Sequence, residues 1–145
     1  MDTAELWAKR GTCMRACVGA VVAWDNRPIS IGYNGSPAGA PHCAGNECPL
    51  SPHKTCLRAV HAEINALTFA HKLGAPMHEC DLYTTHAPCG DCAAVINHHQ
   101  VRRVFYRHPY HRAGLAYLTM PYFRVTPSGI VIDAQGKVNE QEHSH

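Results

Sequence analysis

The sequence predicts an α/β fold, and three observations carry that expectation. Apolar or alternating segments of strand length recur at residues 18–24, 29–33, 80–85, 101–106, 122–125 and 129–132. Segments with helical spacing stand between several of them, and no linker rich in Pro, Gly or Ser divides the chain. Strands that alternate with helices form layers joined by right-handed crossovers. With 145 residues the chain suits one core, so a single domain over residues 1–145 is expected.

Each element has its own justification. Residues 3–10 show helical spacing in Leu6, Trp7, Lys9 and Arg10, with Asp2 or Thr3 able to cap the start. Residues 18–24 are a continuous apolar run, Asp25-Asn26-Arg27-Pro28 has turn chemistry, and residues 29–33 alternate, which predicts a β-hairpin covered on both faces. From 34 to 55 the chain is rich in Pro, Gly, Cys and His without an apolar period, and a loop of that length needs something to tie it down. A helix follows from His61, with Ile64, Leu67, Phe69 and Ala70 on one stripe and an end near Gly74. Residues 80–85 read as a strand and 88–97 as a helix entered through Pro88. Residues 101–106 form a further strand, 113–120 a short helix, and 122–125 and 129–132 the last strands. The polar stretch 139–145 reads as a frayed tail.

Composition narrows the function. Hydrophobic residues make up 46%, charged residues 17%, and the net charge is +2, which argues against disorder and against a nucleic-acid partner. No apolar run approaches the roughly 18 residues of a membrane span, and the start MDTAELWAKR has no signal-peptide core. A cytoplasmic protein without a membrane partner is expected. The chain carries 8 Cys and 12 His. In a reducing compartment such a count favours thiolate or metal chemistry over disulfides.

The strongest constellation pairs His61-Ala62-Glu63 at one helix start with Pro88-Cys89-Gly90-Asp91-Cys92 at the next, one strand apart. Cys89 and Cys92 share a face of the first helical turn, where the helix dipole favours thiolates. One imidazole and two thiolates leave the fourth position of a tetrahedral Zn²⁺ open to water, as in a catalytic site. Glu63 can then lie beside that water as a proton shuttle. The combination H-x-E with P-C-x-x-C is the general signature of zinc-dependent deaminases, which implies zinc-hydroxide attack on C4 of a cytosine ring. Taken singly, the fragments would also suit a capping His, a solvated Glu, a redox C-x-x-C pair, or a zinc-binding module without catalysis.

Further segments sharpen the assignment. Thr12-Cys13-x-Arg15, Val18-Gly19-Ala20-Val21, Gly32-Tyr33-Asn34-Gly35-Ser36-Pro37-x-Gly39, His42-Cys43, Cys56-x-Arg58-x-x-His61-Ala62-Glu63-x-Asn65-Ala66, Leu82-Tyr83-Thr84-Thr85 and Val104-Phe105-Tyr106 together resemble the deoxycytidylate (dCMP) deaminase family, including its bacterial competence-associated and phage-encoded members. The resemblance runs from about residue 8 to about residue 112. It implies a cytidine-deaminase-like three-layer α/β/α sandwich with a central mixed five-stranded sheet. It also implies hydrolysis of dCMP to dUMP, a step that supplies thymidylate synthesis. His61, Cys89 and Cys92 would hold the catalytic Zn²⁺, Glu63 would be the acid/base, and Asn34 with Ser36 would contact sugar or base. A homo-oligomer, commonly a hexamer, and control by dCTP and dTTP with Mg²⁺ are implied as well.

A second, structural Zn²⁺ would tie down the long loop, with Cys13, Cys43, Cys48 and Cys56 as ligands and His42 or His53 as substitutes. For the substrate phosphate the candidates are Arg15, Arg58 and the basic stretch 101–108, whose alternation places Arg103, Phe105 and Arg107 opposite Arg102, Val104 and Tyr106. Tyr106 and Tyr110 are candidates to stack near the nucleotide. Cys17 and Cys80 read as core residues. Alternative substrates are a free cytidine or deoxycytidine, a 5-modified dCMP, or a transfer-RNA adenosine, the last disfavoured by the low net charge.

Overall fold

A computed structural model describes residues 1–13, 16–43, 48–54 and 56–140. The first helix, α1 (Asp2–Ala8), leads into a hairpin of β1 (Gly19–Trp24) and β2 (Arg27–Tyr33). Asp25 and Asn26 turn the hairpin with φ of 49° and 57°, the left-handed pair that a two-residue turn between twisted strands requires. After the long loop come α2 (Ala62–Lys72), β3 (Cys80–His86), α3 (Gly90–His99) and β4 (Arg103–His108), then β5 (Tyr122–Val125) and β6 (Val131–Ile132). The strands form one mixed sheet in the order β2-β1-β3-β4-β5-β6. β1 is antiparallel to β2 and β3, β3 to β5 run parallel, and β6 returns antiparallel.

Register decides which helix each strand residue meets. Ala20 pairs with Gly32 and Thr84, and Val22 with Ser30 and Leu82, so these side chains share one face with α2 and α3. There they pack with Leu67, Ile96 and Val104. The opposite face carries Tyr83, Phe105 and Phe123, whose rings stack at 4.7 Å and 5.2 Å, together with Val125 and Val131. α1 covers that face over β1. Two glycines permit these close layers. A Cβ on Gly19 would strike the Ala4 carbonyl of α1, and one on Gly32 the Ala62 carbonyl of α2. The hairpin is thus covered on both sides, and the layered α/β expectation is met.

Three details differ from expectation. The sheet has six strands rather than five, because the chain turns back through Thr126–Ile130 hydrogen bonds and buries Val131 against Phe123. The helix expected over 113–120 is a single 3-10 turn, Leu115–Tyr117. Asn97 of α3 explains this: its Nδ2 donates to the Tyr117 carbonyl at 2.8 Å and its Oδ1 accepts from the Thr119 N–H at 3.0 Å, drawing those groups out of an i to i+4 ladder. A 3-10 turn at Met77–Glu79 also precedes β3. Of the expected tail, Asn139 is held by an N–H bond to the Val131 carbonyl, and residues 141–145 lie outside the described residues. No described helix is long and apolar enough to cross a membrane.

Asp81 joins β3 to the start of β4. Arg102 and Arg103 each grip its carboxylate in bidentate fashion, through Nε at 3.0 Å and through Nη2 at 2.7 Å and 2.6 Å respectively. Burial works to raise the Asp81 pKa, but the two guanidiniums outweigh it and hold the carboxyl below its ordinary 3.8. Its contribution is therefore complete above that value and is lost as pH falls through the lower folded value. Asp81→Asn is expected to cost about 2–3 kcal/mol near neutral pH, less than for a fully buried pair because Arg102 is half exposed. Denaturant titrations at neutral and acid pH check this, since the gap between the two proteins should narrow in acid; an equal gap at both would contradict it.

Candidate active site

The site forms where two helices begin beside the C-terminal end of β3. His61 precedes α2 in an extended conformation (φ −71°, ψ 149°), which turns its ring away from the helix axis. Cys89 caps α3 in the same way, and its Sγ accepts the Cys92 N–H at 3.5 Å. Pro88, fully buried, fixes the entry into α3. His61 Nδ1 lies 3.2 Å from Cys92 Sγ and 3.5 Å from Cys89 Sγ, and all three donor atoms fall within 4.8 Å of one another. The expected triad is therefore assembled by the fold.

Electrostatics suit a cation. Hydrogen bonding from Cys92, together with His61 and the backbone, brings the Cys89 thiol down to about 4, whereas Cys92 is pushed up by its neighbour Cys89. The hydrogen bond to Cys89 also raises His61. Glu63 stands in the first turn of α2, 4% exposed, with Oε2 3.5 Å from Cys92 Sγ. Burial raises its pKa, so it takes up a proton more readily than a solvated carboxylate. Thr84 Oγ1 lies 3.2 Å from Glu63 Oε1 and orients it from β3. One ring nitrogen and two sulfurs with a half-open side are a donor set that fits Zn²⁺ with a water position.

A cavity of about 250 Å³ adjoins these groups. His61, Glu63, Cys89 and Asn34 line it, with His86 at the end of β3 and Ala87 just beyond. Lys54, Tyr110, His111 and Arg112 also line it, from the loops before α2 and after β4. Asn34 is 7% exposed; its Oδ1 accepts from the Val18 N–H at 2.8 Å and its Nδ2 donates to the Ala16 carbonyl at 2.6 Å, bracing the segment that enters β1.

Other candidates fall elsewhere. Among the described residues, Ser36 Oγ is buried without a hydrogen-bond partner and does not line the cavity. Arg58 points Nη1 at the Pro41 carbonyl at 3.4 Å, and Tyr106 is half-buried in β4; neither lines the cavity, whereas Tyr110 does. Arg15 lies outside the described residues. Arg102 joins Arg103 on Asp81 rather than facing away from it, because it precedes the strand and is free of its alternation. Arg107 keeps to the face expected from alternation and bonds Asp2 and Glu5 of α1 at 3.3 Å and 3.5 Å.

Cys43, Cys48 and Cys56 form a second group with sulfurs within 4.8 Å. Cys43 and Cys56 are 3.7 Å apart. Burial opposes ionisation of Cys56, yet the Ala59 N–H and neighbouring thiols bring it down to about 7, while the bond to Cys56 pushes Cys48 up to about 12. Cys13, His42 and His53 are not part of this group, although Cys13 and Cys56 both line the cavity. Cys80 is fully buried as expected, whereas Cys17 is exposed, because the chain entering β1 passes over the surface there. Sequence reasoning missed Lys54, His86, His111 and Arg112; of these, only His86, at the C-terminal end of a parallel strand, carried a recognisable positional signal.

A layered α/β domain with a His-Cys-Cys donor set and a buried carboxylate beside it has the form of a zinc-dependent deaminase. The profile of the family described as "Cytidine and deoxycytidylate deaminase zinc-binding region" matches residues 1–108. ComE operon protein 2 of Bacillus subtilis is 41% identical over 110 residues, covering 76% of this chain and 58% of that protein. Deoxycytidylate deaminase of Mycobacterium phage D29 is 39% identical over 114 residues, covering 68% of this chain and 84% of the phage protein. The crystal structure of dCMP deaminase from the cyanophage S-TIM5 in complex with dCMP and dUMP superposes with a TM-score of 0.74 at 32% identity, covering 85% of this chain and 91% of that one. The chain belongs to the cytidine and deoxycytidylate deaminase family. Its match spans 58% of the B. subtilis protein and 36% of the Schizosaccharomyces pombe deoxycytidylate deaminase.

Proposed function

We propose that this protein hydrolyses dCMP to dUMP and ammonia. The observation that carries the reading is the buried Glu63 carboxylate, 3.5 Å from Cys92 Sγ, lining the same cavity as His61 and Cys89. Relatives named as deoxycytidylate deaminases and the cyanophage structure with dCMP and dUMP support the substrate. Zn²⁺ held by His61, Cys89 and Cys92 would supply an acidified water near neutral pH.

The chain's own residues would manage the protons. Glu63, whose burial favours the protonated form, passes a proton taken from the attacking water to N3 of the cytosine ring, and later passes the proton of the hydroxyl added at C4 to the amine, which departs as ammonia. Thr84 keeps Oε1 oriented through the cycle. Asn34 holds the cavity wall at residues 16–18. The triad Cys43, Cys48 and Cys56 would hold a second, structural Zn²⁺. Eight unpaired thiols suit a reducing compartment, the cytoplasm. Assembly into a homo-oligomer and control by dCTP and dTTP with Mg²⁺ belong to the same proposal.

Glu63→Gln is expected to retain zinc and fold but to lower ammonia release from dCMP by about 10²-fold or more, the scale of lost general acid/base catalysis. Comparison with CMP, deoxycytidine and 5-methyl-dCMP in the same assay checks the substrate, and undiminished turnover by Glu63→Gln would overturn the mechanism. Metal analysis should find about two zinc ions per chain in the wild type and about one in Cys43→Ser; a wild-type value near one that vanishes in Cys89→Ser removes the structural centre.

A further inference from the structure

We propose that His71, His98 and His99 form a further metal site, a surface centre for a borderline transition dication such as Zn²⁺ that ties the C-terminal end of α2 to that of α3. It is separate from both cysteine-containing groups and does not rest on the substrate reading. His71 stands in the last turn of α2, and His98 and His99 end α3. The His71 and His99 rings meet across the two helices with centroids 5.5 Å apart, and the His98 and His99 rings are 5.8 Å apart. Both pairs lie edge-on rather than stacked, with 63° and 75° between ring planes. With Zn–N of about 2.0–2.1 Å, two imidazoles on one ion place their ring centres about 5.2 Å apart at the tetrahedral angle and about 5.8 Å apart at ~130°. The cluster therefore has the ring spacing of imidazoles that share an ion.

The surroundings suit a cation. Two helix C-termini meet here, and each presents the negative end of its dipole. Both last turns are ordered, since the Leu73 N–H donates to the Phe69 carbonyl and the Gln100 N–H to the Ile96 carbonyl, each at 3.1 Å. Burial, His71 and His98 together hold the His99 pKa below its ordinary 6.5, which keeps that ring in the neutral, ligating form at neutral pH. Among the described residues, the groups with three donor atoms already within 4.8 Å of one another are the two that contain cysteine. Closing the histidine site therefore takes ring rotation, which is soft about the bond to an sp² ring, and His71 and His98 are exposed. Imidazole donors select Zn²⁺, Cu²⁺ or Ni²⁺ over Mg²⁺ and Ca²⁺. The same two helices carry the catalytic donors at their N-terminal ends, so an ion here clamps the pair at its other end.

The test titrates the zinc-loaded full chain, after gel filtration has left only tightly held ions, with Zn²⁺ in a calorimeter near neutral pH. One further ion per chain is expected to bind the wild type, with affinity weakened about 10- to 100-fold in His71→Gln and in His99→Gln. That ion should be lost at about pH 5, where the imidazoles are protonated. Added Zn²⁺ should also raise the Tm of the wild type and not that of His71→Gln, since binding to the folded chain stabilises it by mass action. His78, an exposed histidine 3.6 Å from Glu79, is the control, and His78→Gln should titrate as the wild type does. Circular dichroism checks the fold of each variant, and His71→Gln, which changes an exposed side chain, decides the matter should His99→Gln not fold. No further ion in the wild type, unchanged affinity in His71→Gln, or an equal loss in His78→Gln overturns the site.

Discussion

The N-termini of α2 and α3 meet beside the end of β3, and the groups gathered there must be satisfied together. An imidazole, two thiols and a buried carboxylate stand within hydrogen-bonding reach of one another. Three of the four are anionic when ionised, in a place of low dielectric. A dication would resolve this conflict, because it would hold the thiolates and the imidazole at once. The same point is the joint between two helices. A metal bound here would therefore also join the two helix starts.

Helix placement in turn depends on the sheet. The absence of a side chain at Gly32 lets α2 approach β2 at Ala62, one residue from His61 and from Glu63. Ser30 Oγ donates to the Ala66 carbonyl at 2.7 Å and ties the same helix to the same strand. On the other face, Arg107 and His108 of β4 bond Glu5 of α1. Basic residues of β4 are thus spent on layer assembly. This is why a basic stretch that resembles a phosphate site in the sequence contributes none of its arginines to the cavity.

The loop between β2 and α2 follows a different logic. It has few apolar residues to bury, and its order comes from backbone pairing of Gly35 with Val60, from a bridge between Leu50 and Cys56, and from the convergence of three thiols. Cys56 and Lys54 also line the cavity, so the thiol cluster adjoins its wall.

Much of the fold and the reacting centre was legible in the sequence. Period-two and helical spacing mark β1, β2, α2, β3, α3 and β4 because each buries one face locally, and His61, Glu63, Cys89 and Cys92 stand out because metal chemistry demands those residue types at helix starts. The sixth strand was visible as a segment, and the turn at Thr126–Ile130 adds it to the edge of the sheet beyond the five strands that the resemblance implied. The 3-10 turn at 115–117 was hidden because Asn97, from another helix, decides it. Lys54, His86, His111 and Arg112 line the cavity without any periodicity of their own, as two loops and a strand end converge only when the layers close. By itself, then, the sequence determined the elements and the chemistry that short-range spacing can encode. Only the tertiary structure decided which arginines are neutralised by Asp81, Asp2 and Glu5 and which cations reach the cavity, because charge pairing depends on proximity in space and leaves no period in the chain.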